Sequence, residues 1–234
     1  MRTLILLVIY GLLAILLVPV LLFCYLVRYS QPLVLVGKWA IRLGQRILGI
    51  RLEVSGLENV DKKASYVFMA NHLSIIDGPM LFMLIPQSVR VILKKEVFRI
   101  PIIAQAMRQA GFIPVDRKRL KGGKESIDRA SRHIKEKGCS FLIFPEGTRS
   151  RDGKLQPFKR GGFFLALASL APIVPVSIEG TYELMPRGSF FAKKGKVRAN
   201  FHPAVPVEEF NRGTLPHLIE RVRDIIRSGL KDES

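Results

Sequence analysis

The run Asn71-His72-Leu73-Ser74-Ile75-Ile76-Asp77 places a histidine five residues ahead of a carboxylate. A second run, Phe144-Pro145-Glu146-Gly147-Thr148-Arg149-Ser150, sets a carboxylate and a cation in a turn that contains glycine. An imidazole is suited to proton transfer near neutral pH, and a carboxylate on its other ring nitrogen fixes the tautomer. His72 is therefore a candidate general base, with Asp77 to orient it. In an unbroken helix an offset of five rotates the two side chains about 140° apart, so they meet only if the chain turns between them. Ser74 offers that turn as an N-cap. Yet Ser74-x-x-Asp77 is equally a capping box, in which Asp77 only satisfies backbone donors at a helix start. The spacing leaves both readings open.

What the chain lacks narrows the chemistry. It has no Gly-x-Ser-x-Gly elbow, Cys24 and Cys139 sit in no nucleophile motif, and no residue cluster has metal-ligand spacing. A base without a protein nucleophile is suited to activating the substrate's own hydroxyl. No metal and no cofactor are expected. In the second run, Gly147 lets backbone donors approach an anion, and Arg149 offers a planar fork for phosphate or carboxylate. Arg117 ends the run Gly111-Phe112-Ile113-Pro114-Val115-Asp116-Arg117, and Lys94-Lys95 follow Val91-Ile92-Leu93. Each of these cations alone fits a surface ion pair. Cations after three strand-like runs weigh against chance and suit an anion site as well as separate ion pairs.

These residues must be positioned by a fold. Past residue 50 the chain alternates short β-rich runs with longer helical ones. Strands are expected near 51–54, 65–70, 89–93, 112–115, 140–144, 173–178 and 197–201, with helices near 74–85, 98–110, 123–137, 160–170 and 215–229. Gly138, after Lys135 and Lys137, is the expected stop of the third helix. The alternation predicts an α/β fold with a mixed central sheet covered by helices over 50–234, preceded by a membrane-associated helical pair over 1–49. His72 and Arg149 then fall at carboxyl ends of strands, where open α/β sheets place their sites. The irregular segment 183–196 mixes Phe190 and Phe191 with Lys193, Lys194 and Lys196. That composition suits either a membrane-touching loop or a solvated hairpin end.

The N-terminal expectation rests on Thr3 to Val27, 25 residues without a charge. Such a run can cross about 30 Å of hydrocarbon. It exceeds the apolar core of a signal peptide and no small-x-small cleavage site follows. Pro19 permits a kink, so a straight span and a shallow re-entrant path both fit. Lys38, Arg42 and Arg46 then form one basic stripe on a helix that carries Trp39, Ile41, Leu43, Ile47 and Leu48 on its other faces. This describes a helix in the headgroup plane, or a surface helix packed on the domain. The net charge is +18, from 37 Lys+Arg against 19 Asp+Glu. A surface this basic seeks phosphate headgroups, nucleic acid or an acidic carrier protein. None of the RNA-binding signatures is present, which argues against nucleic acid. The excess of Lys and Arg after the apolar run places the catalytic domain on the cytoplasmic side of a cell membrane.

Asn71-His72-x4-Asp77, Gly111 to Arg117, Phe144 to Ser150 and Val174-Pro175-Val176-Ser177, in that order, resemble the four blocks of the glycerolipid acyltransferase family, especially its 1-acyl-sn-glycerol-3-phosphate acyltransferases. The resemblance covers about residues 50–205. It implies that His72 deprotonates the sn-2 hydroxyl of lysophosphatidate while Asp77 orients it. The oxygen then attacks the thioester carbonyl of acyl-CoA or acyl-carrier protein, giving phosphatidate without an acyl-enzyme. By the same resemblance Glu146 and Arg149 hold the glycerol phosphate, Arg117 assists, one of Lys94 or Lys95 lies nearby, and Gly147 keeps the loop open. Alternative acceptors are glycerol 3-phosphate and other lysolipids, such as a lyso-ornithine lipid or lysocardiolipin. Backbone amides at the start of the helix after His72 are the candidates for oxyanion stabilisation.

Overall fold

The computed structural model describes residues 2–16, 18–27, 31–99, 101–115 and 120–230. Helices α1 (Arg2–Leu16), α2 (Val18–Leu26) and α3 (Gln31–Leu48) lead into β1 (Ile50–Ser55), β2 (Val67–Ala70), α4 (Asp77–Leu84) and β3 (Val89–Lys94). Then come α5 (Pro101–Gln109), β4 (Ile113–Val115), α6 (Leu120–Lys137), β5 (Ser140–Ile143), α7 (Gly161–Ser169), β6 (Ile173–Glu179), α8 (Thr181–Leu184), β7 (Gly195–Phe201) and α9 (Leu215–Ser228). Among the described residues the strands form one seven-stranded sheet in the order β1-β7-β6-β2-β5-β3-β4. All its pairings are parallel except β6 with β7, which makes the sheet mixed.

Apolar residues on both faces explain the central position of β2. All four of its residues are buried. Phe68 and Ala70 join Val174, Val176 and Leu142 in a core beneath α3 and α4, while Val67 and Met69 join Phe141, Ile173 and Phe163 beneath α6, α7 and α9. A strand read as apolar throughout has no solvent face and is driven between two helical layers. On β1, by contrast, Arg51, Glu53 and Ser55 alternate outward, as an edge strand's residues should. Because β2 to β6 run the same way, the residues that follow them line up along one edge of the sheet.

The expected strands are all found, and the helices differ in detail. The helix expected from residue 74 begins at Asp77. The one expected over 98–110 is divided into a 3-10 turn, Lys95–Arg99, and α5, which opens on Pro101. Proline fits a first helical turn because its missing N–H has no partner there anyway. α6 stops as expected: Gly138 has φ +58, and its N–H donates to Ile134 O at 3.1 Å.

At the N-terminus, no single described helix is long and apolar enough to cross a membrane. The apolar run is bent by 47° between Arg2–Leu13 and Val18–Cys24. Pro19, in the first turn of α2, cannot donate to a carbonyl of the preceding turn, which permits the bend. Both helices leave large apolar side chains in solvent, among them Leu4, Leu7, Val8, Leu12, Ile15, Leu22 and Phe23. α1 is held to α3 by Tyr10 Oη, which donates to Ala40 O at 2.8 Å. A Cβ at Gly44 would collide with that same hydroxyl, so glycine permits the approach. The basic stripe of α3 is not uniform. Lys38 turns inward and donates to Ile85 O at 2.6 Å, capping the carboxyl end of α4, and burial lowers its pKa, with Arg42 adding to the effect. Arg42, Arg46 and Trp39 remain exposed.

Candidate active site

The turn after β2 is set by buried hydrogen bonds. Asn71 is fully buried. Its side chain accepts from Ile178 N–H at 2.8 Å and donates to Ile178 O at 2.9 Å, adding one rung between β2 and β6 beyond the strand pairing. The chain then turns for five residues before α4 starts, with Ile76 in the N-cap position and no side-chain cap. Ser74 is not that cap. Its hydroxyl donates instead to Met185 O at 2.6 Å, beyond α8.

Asp77 does both things that its spacing allowed. Its Oδ2 accepts from the backbone N–H groups of Leu73 and Ser74, each at 2.7 Å, and lies 2.8 Å from His72 Nδ1. The half of the capping box that runs from Asp77 to Ser74 therefore exists, and the same oxygen holds the imidazole. Since an ionised carboxylate only accepts, Nδ1 carries the proton and Nε2 keeps its lone pair. The Asp77 side chain is 0% exposed and that of His72 is 20% exposed, so the ring reaches solvent from a buried support. The amides of Leu73 and Ser74 are committed to Asp77. Neither amide can serve as an oxyanion donor, because an N–H already donating to a buried carboxylate has no proton left for a substrate.

The second motif grips His72 from the other side. The Phe144 ring stacks on the imidazole, with centroids 4.1 Å apart and planes at 20°. Glu146 Oε1 accepts from His72 N–H at 2.7 Å, and Ser150 N–H donates to His72 O at 2.8 Å. Glu146 Oε2 accepts from Gln156 N–H at 3.3 Å, which folds the 150–160 loop back over the motif. Burial pushes the Glu146 carboxyl up to about 7; the two amides pull it down, and the charge of Asp77 adds to the rise. The carboxylate thus faces inward onto the His72 turn. Phe144, Ser150 and Asn71 all lie inside the motifs, yet their types give no hint of these contacts, which depend on bringing β2 between β5 and β6.

The cations lie along the same edge. Gly147 has φ +73, and a Cβ there would sit 3.1 Å from both Cδ and Nζ of Lys159, so the glycine makes room for that side chain. Lys159 is anchored by its N–H, which donates to Pro145 O at 2.8 Å. Sequence reasoning missed it; its closeness to the Gly147 turn arises only from the folded 150–160 loop. Arg149 is half-buried after β5. Lys94 ends β3 and pairs with Glu96 at 3.3 Å, and Lys95 is exposed beside it. With β5 between β2 and β3, those lysines start roughly 10 Å from the His72 strand, within reach of a long side chain. Arg117 lies outside the described residues. In the fourth block, Ser177 donates to Ile226 O at 2.7 Å and meets His202 Nε2 at 2.8 Å, which ties β6 to α9 and to the residue after β7.

The family model described as "Acyltransferase" matches residues 51–179. The 1-acyl-sn-glycerol-3-phosphate acyltransferase of Limnanthes douglasii is 34% identical over 179 residues, covering 76% of this chain and 63% of that protein. The enzyme of the same name from Saccharomyces cerevisiae is 31% identical over 189 residues, covering 80% and 62%. This chain therefore spans a little under two thirds of the length of these relatives. The crystal structure of the 1-acyl-sn-glycerophosphate acyltransferase PlsC from Thermotoga maritima superposes with a TM-score of 0.80 at 26% identity, over 100% of this chain and 96% of that one. With the family model matching more than half of the sequence, and with the histidine–aspartate pair and the glutamate turn joined at one edge of the sheet, the chain belongs to the acyltransferase family.

Proposed function

We propose that this protein transfers a fatty acyl group from an acyl thioester to the sn-2 hydroxyl of lysophosphatidate, giving phosphatidate. The observation that carries this reading is the 2.8 Å contact of His72 Nδ1 with the buried Asp77, on the strand edge that also bears Arg149 and the β3 lysines. His72 Nε2 accepts the hydroxyl proton as the oxygen attacks the thioester carbonyl. The tetrahedral intermediate collapses by breaking the C–S bond, and the imidazolium returns its proton to the departing thiolate. No covalent bond to the protein is needed. Arg149, with one of Lys94 or Lys95 and with Lys159 beside Gly147, holds the acceptor phosphate, and Arg117 assists. Glu146 serves that site through the turn it organises rather than by touching the phosphate, since its two oxygens are engaged by the backbone N–H groups of His72 and Gln156. The printed names of the relatives support lysophosphatidate as acceptor.

The same reading extends to the membrane. The exposed apolar surface of α1 and α2 beds the protein in one leaflet, so the acceptor need not leave the bilayer, and the catalytic domain faces the cytoplasm. Either acyl-CoA or acyl-carrier protein suits the basic surface. The test is acyl transfer by purified protein with lysophosphatidate or glycerol 3-phosphate, each with both donors. Lysophosphatidate should be strongly preferred, His72→Ala should abolish turnover, and Arg149→Ala should raise the KM for lysophosphatidate about tenfold or more while leaving that for the thioester nearly unchanged. Retained turnover in His72→Ala removes it as the base, and equal KM effects remove Arg149 from the phosphate.

A further inference from the structure

The segment between α8 and β7 carries two side chains that the proposed reaction does not use. Phe190 is 83% exposed and Phe191 57% exposed. Rings of that size normally find a partner. Nor is the segment slack. Lys193 N–H donates to Leu184 O at 2.8 Å, Ser189 N–H to Pro186 O at 3.0 Å, and Ser189 Oγ to Phe191 O at 2.9 Å. A closed, hydrogen-bonded loop thus holds the two rings outward.

Its neighbours say what it faces. At one end, Met185 O takes the hydroxyl of Ser74 from the catalytic turn. At the other, Ala192 N–H donates to Thr3 Oγ1 at 3.2 Å, which sets the loop at the start of α1. There Arg2 donates to Leu48 O at 3.4 Å, and a Cβ on Gly49 would meet both Arg2 and the Lys194 stem. The aromatic tip therefore adjoins three cations, Arg2, Lys193 and Lys194, and the helix that leaves its apolar side chains in solvent.

We propose that the Phe190–Phe191 tip is a second lipid-contact element beside α1. Its rings enter the boundary between headgroups and acyl chains of an anionic bilayer, while Arg2, Lys193 and Lys194 meet lipid phosphates. The choice of a bilayer follows from continuity with exposed α1 and from the pairing of aromatic rings with cations; a surface for another protein would not need to continue an apolar helix. The inference rests on the membrane reading proposed above. It adds a contact on the side of the domain where Met185 touches the His72 turn, so that the surface supplying the acceptor lies against the site.

The experiment uses the full chain and no substrate. Partitioning onto phosphatidylcholine vesicles containing phosphatidylglycerol should fall about tenfold or more in the Phe190→Ser/Phe191→Ser double variant. Partitioning equal to that of the unaltered protein overturns the proposal. A second variant guards against misfolding. Trp39 is the single tryptophan, so Phe190→Trp in a Trp39→Phe background reports from the tip alone. Its emission should shift to the blue when these vesicles are added, and an unshifted spectrum overturns the proposal. Because neither measurement involves acyl transfer, a protein that fails to acylate lysophosphatidate would refute the proposed reaction and leave the lipid contact standing.

Discussion

Replacing Asp77 by Asn and by Ala separates the two jobs of its carboxylate. Oδ2 accepts from three donors, whereas Oδ1 has no hydrogen-bond partner among the described residues. An Asn can place its amide oxygen where Oδ2 stood and keep all three donors satisfied. It leaves one buried NH2 without an acceptor, at a cost of about 1–2 kcal/mol. An Ala leaves the amides of Leu73 and Ser74 buried without partners, at roughly 1–3 kcal/mol each, or roughly 2–6 kcal/mol together. Thermal unfolding should therefore rank Asp77→Ala well below Asp77→Asn. Catalysis should rank them differently, because both remove the negative charge 2.8 Å from Nδ1 that offsets the imidazolium formed during proton transfer. At an effective dielectric constant of about 20, unit charges at that distance attract by roughly 6 kcal/mol. Part of this is offset, because the carboxylate's charge is already compensated by two amides. A residue of roughly 4–5 kcal/mol corresponds to a loss of about 10³–10⁴ in kcat for both variants. Steady-state thiol release with lysophosphatidate and acyl-CoA measures it. A folded Asp77→Asn protein whose kcat stays within about tenfold of the unaltered enzyme would falsify the assignment of Asp77 to the base.

Two further outcomes follow from the glutamate turn. Glu146 keeps its proton up to about pH 7 in the folded chain and loses it near the ordinary ~4.3 when unfolded. Between those values the folded state binds more protons, so stability falls as pH rises through that window and levels off outside it. Glu146→Gln should therefore gain on the unaltered protein from pH 5 to 8 by roughly 2–3 kcal/mol in denaturant unfolding, on top of a pH-independent offset; a difference that does not change with pH rules this out. Gly147→Ala must hold φ +73 and push Lys159 aside. Its cost should be about 1–2 kcal/mol, with a raised KM for the phosphate-bearing acceptor, and an unchanged Tm would show that the turn relaxes freely.

What could be read along the chain was whatever depends on local pattern. The strands of the sheet were legible because short apolar runs set between polar and turn residues are visible from neighbours in sequence, and Gly138 because a helix stop is a local event. The start of α4 was not, since Ser74 has the chemistry of a cap and is drawn away by Met185, a residue beyond α8. The basic stripe of α3 likewise looked uniform until Lys38 found the carboxyl end of α4.

By itself the sequence determined the chemistry on offer: a histidine and a carboxylate five residues apart, a glycine turn flanked by acid and cation, and no protein nucleophile. It also marked Pro19 as a position that permits a kink, since a proline without an N–H removes one hydrogen bond to the preceding turn; the 47° bend itself is a finding of the tertiary structure. Only the tertiary structure decided that Asp77 is both turn closure and partner of His72, because one buried oxygen had to be seen facing three donors. Only it could show Glu146 turned inward, Phe144 against the imidazole and Lys159 across Gly147. Those contacts join segments 70 or more residues apart or run through a folded loop, and their geometry is set by which strands pair, something no local pattern encodes.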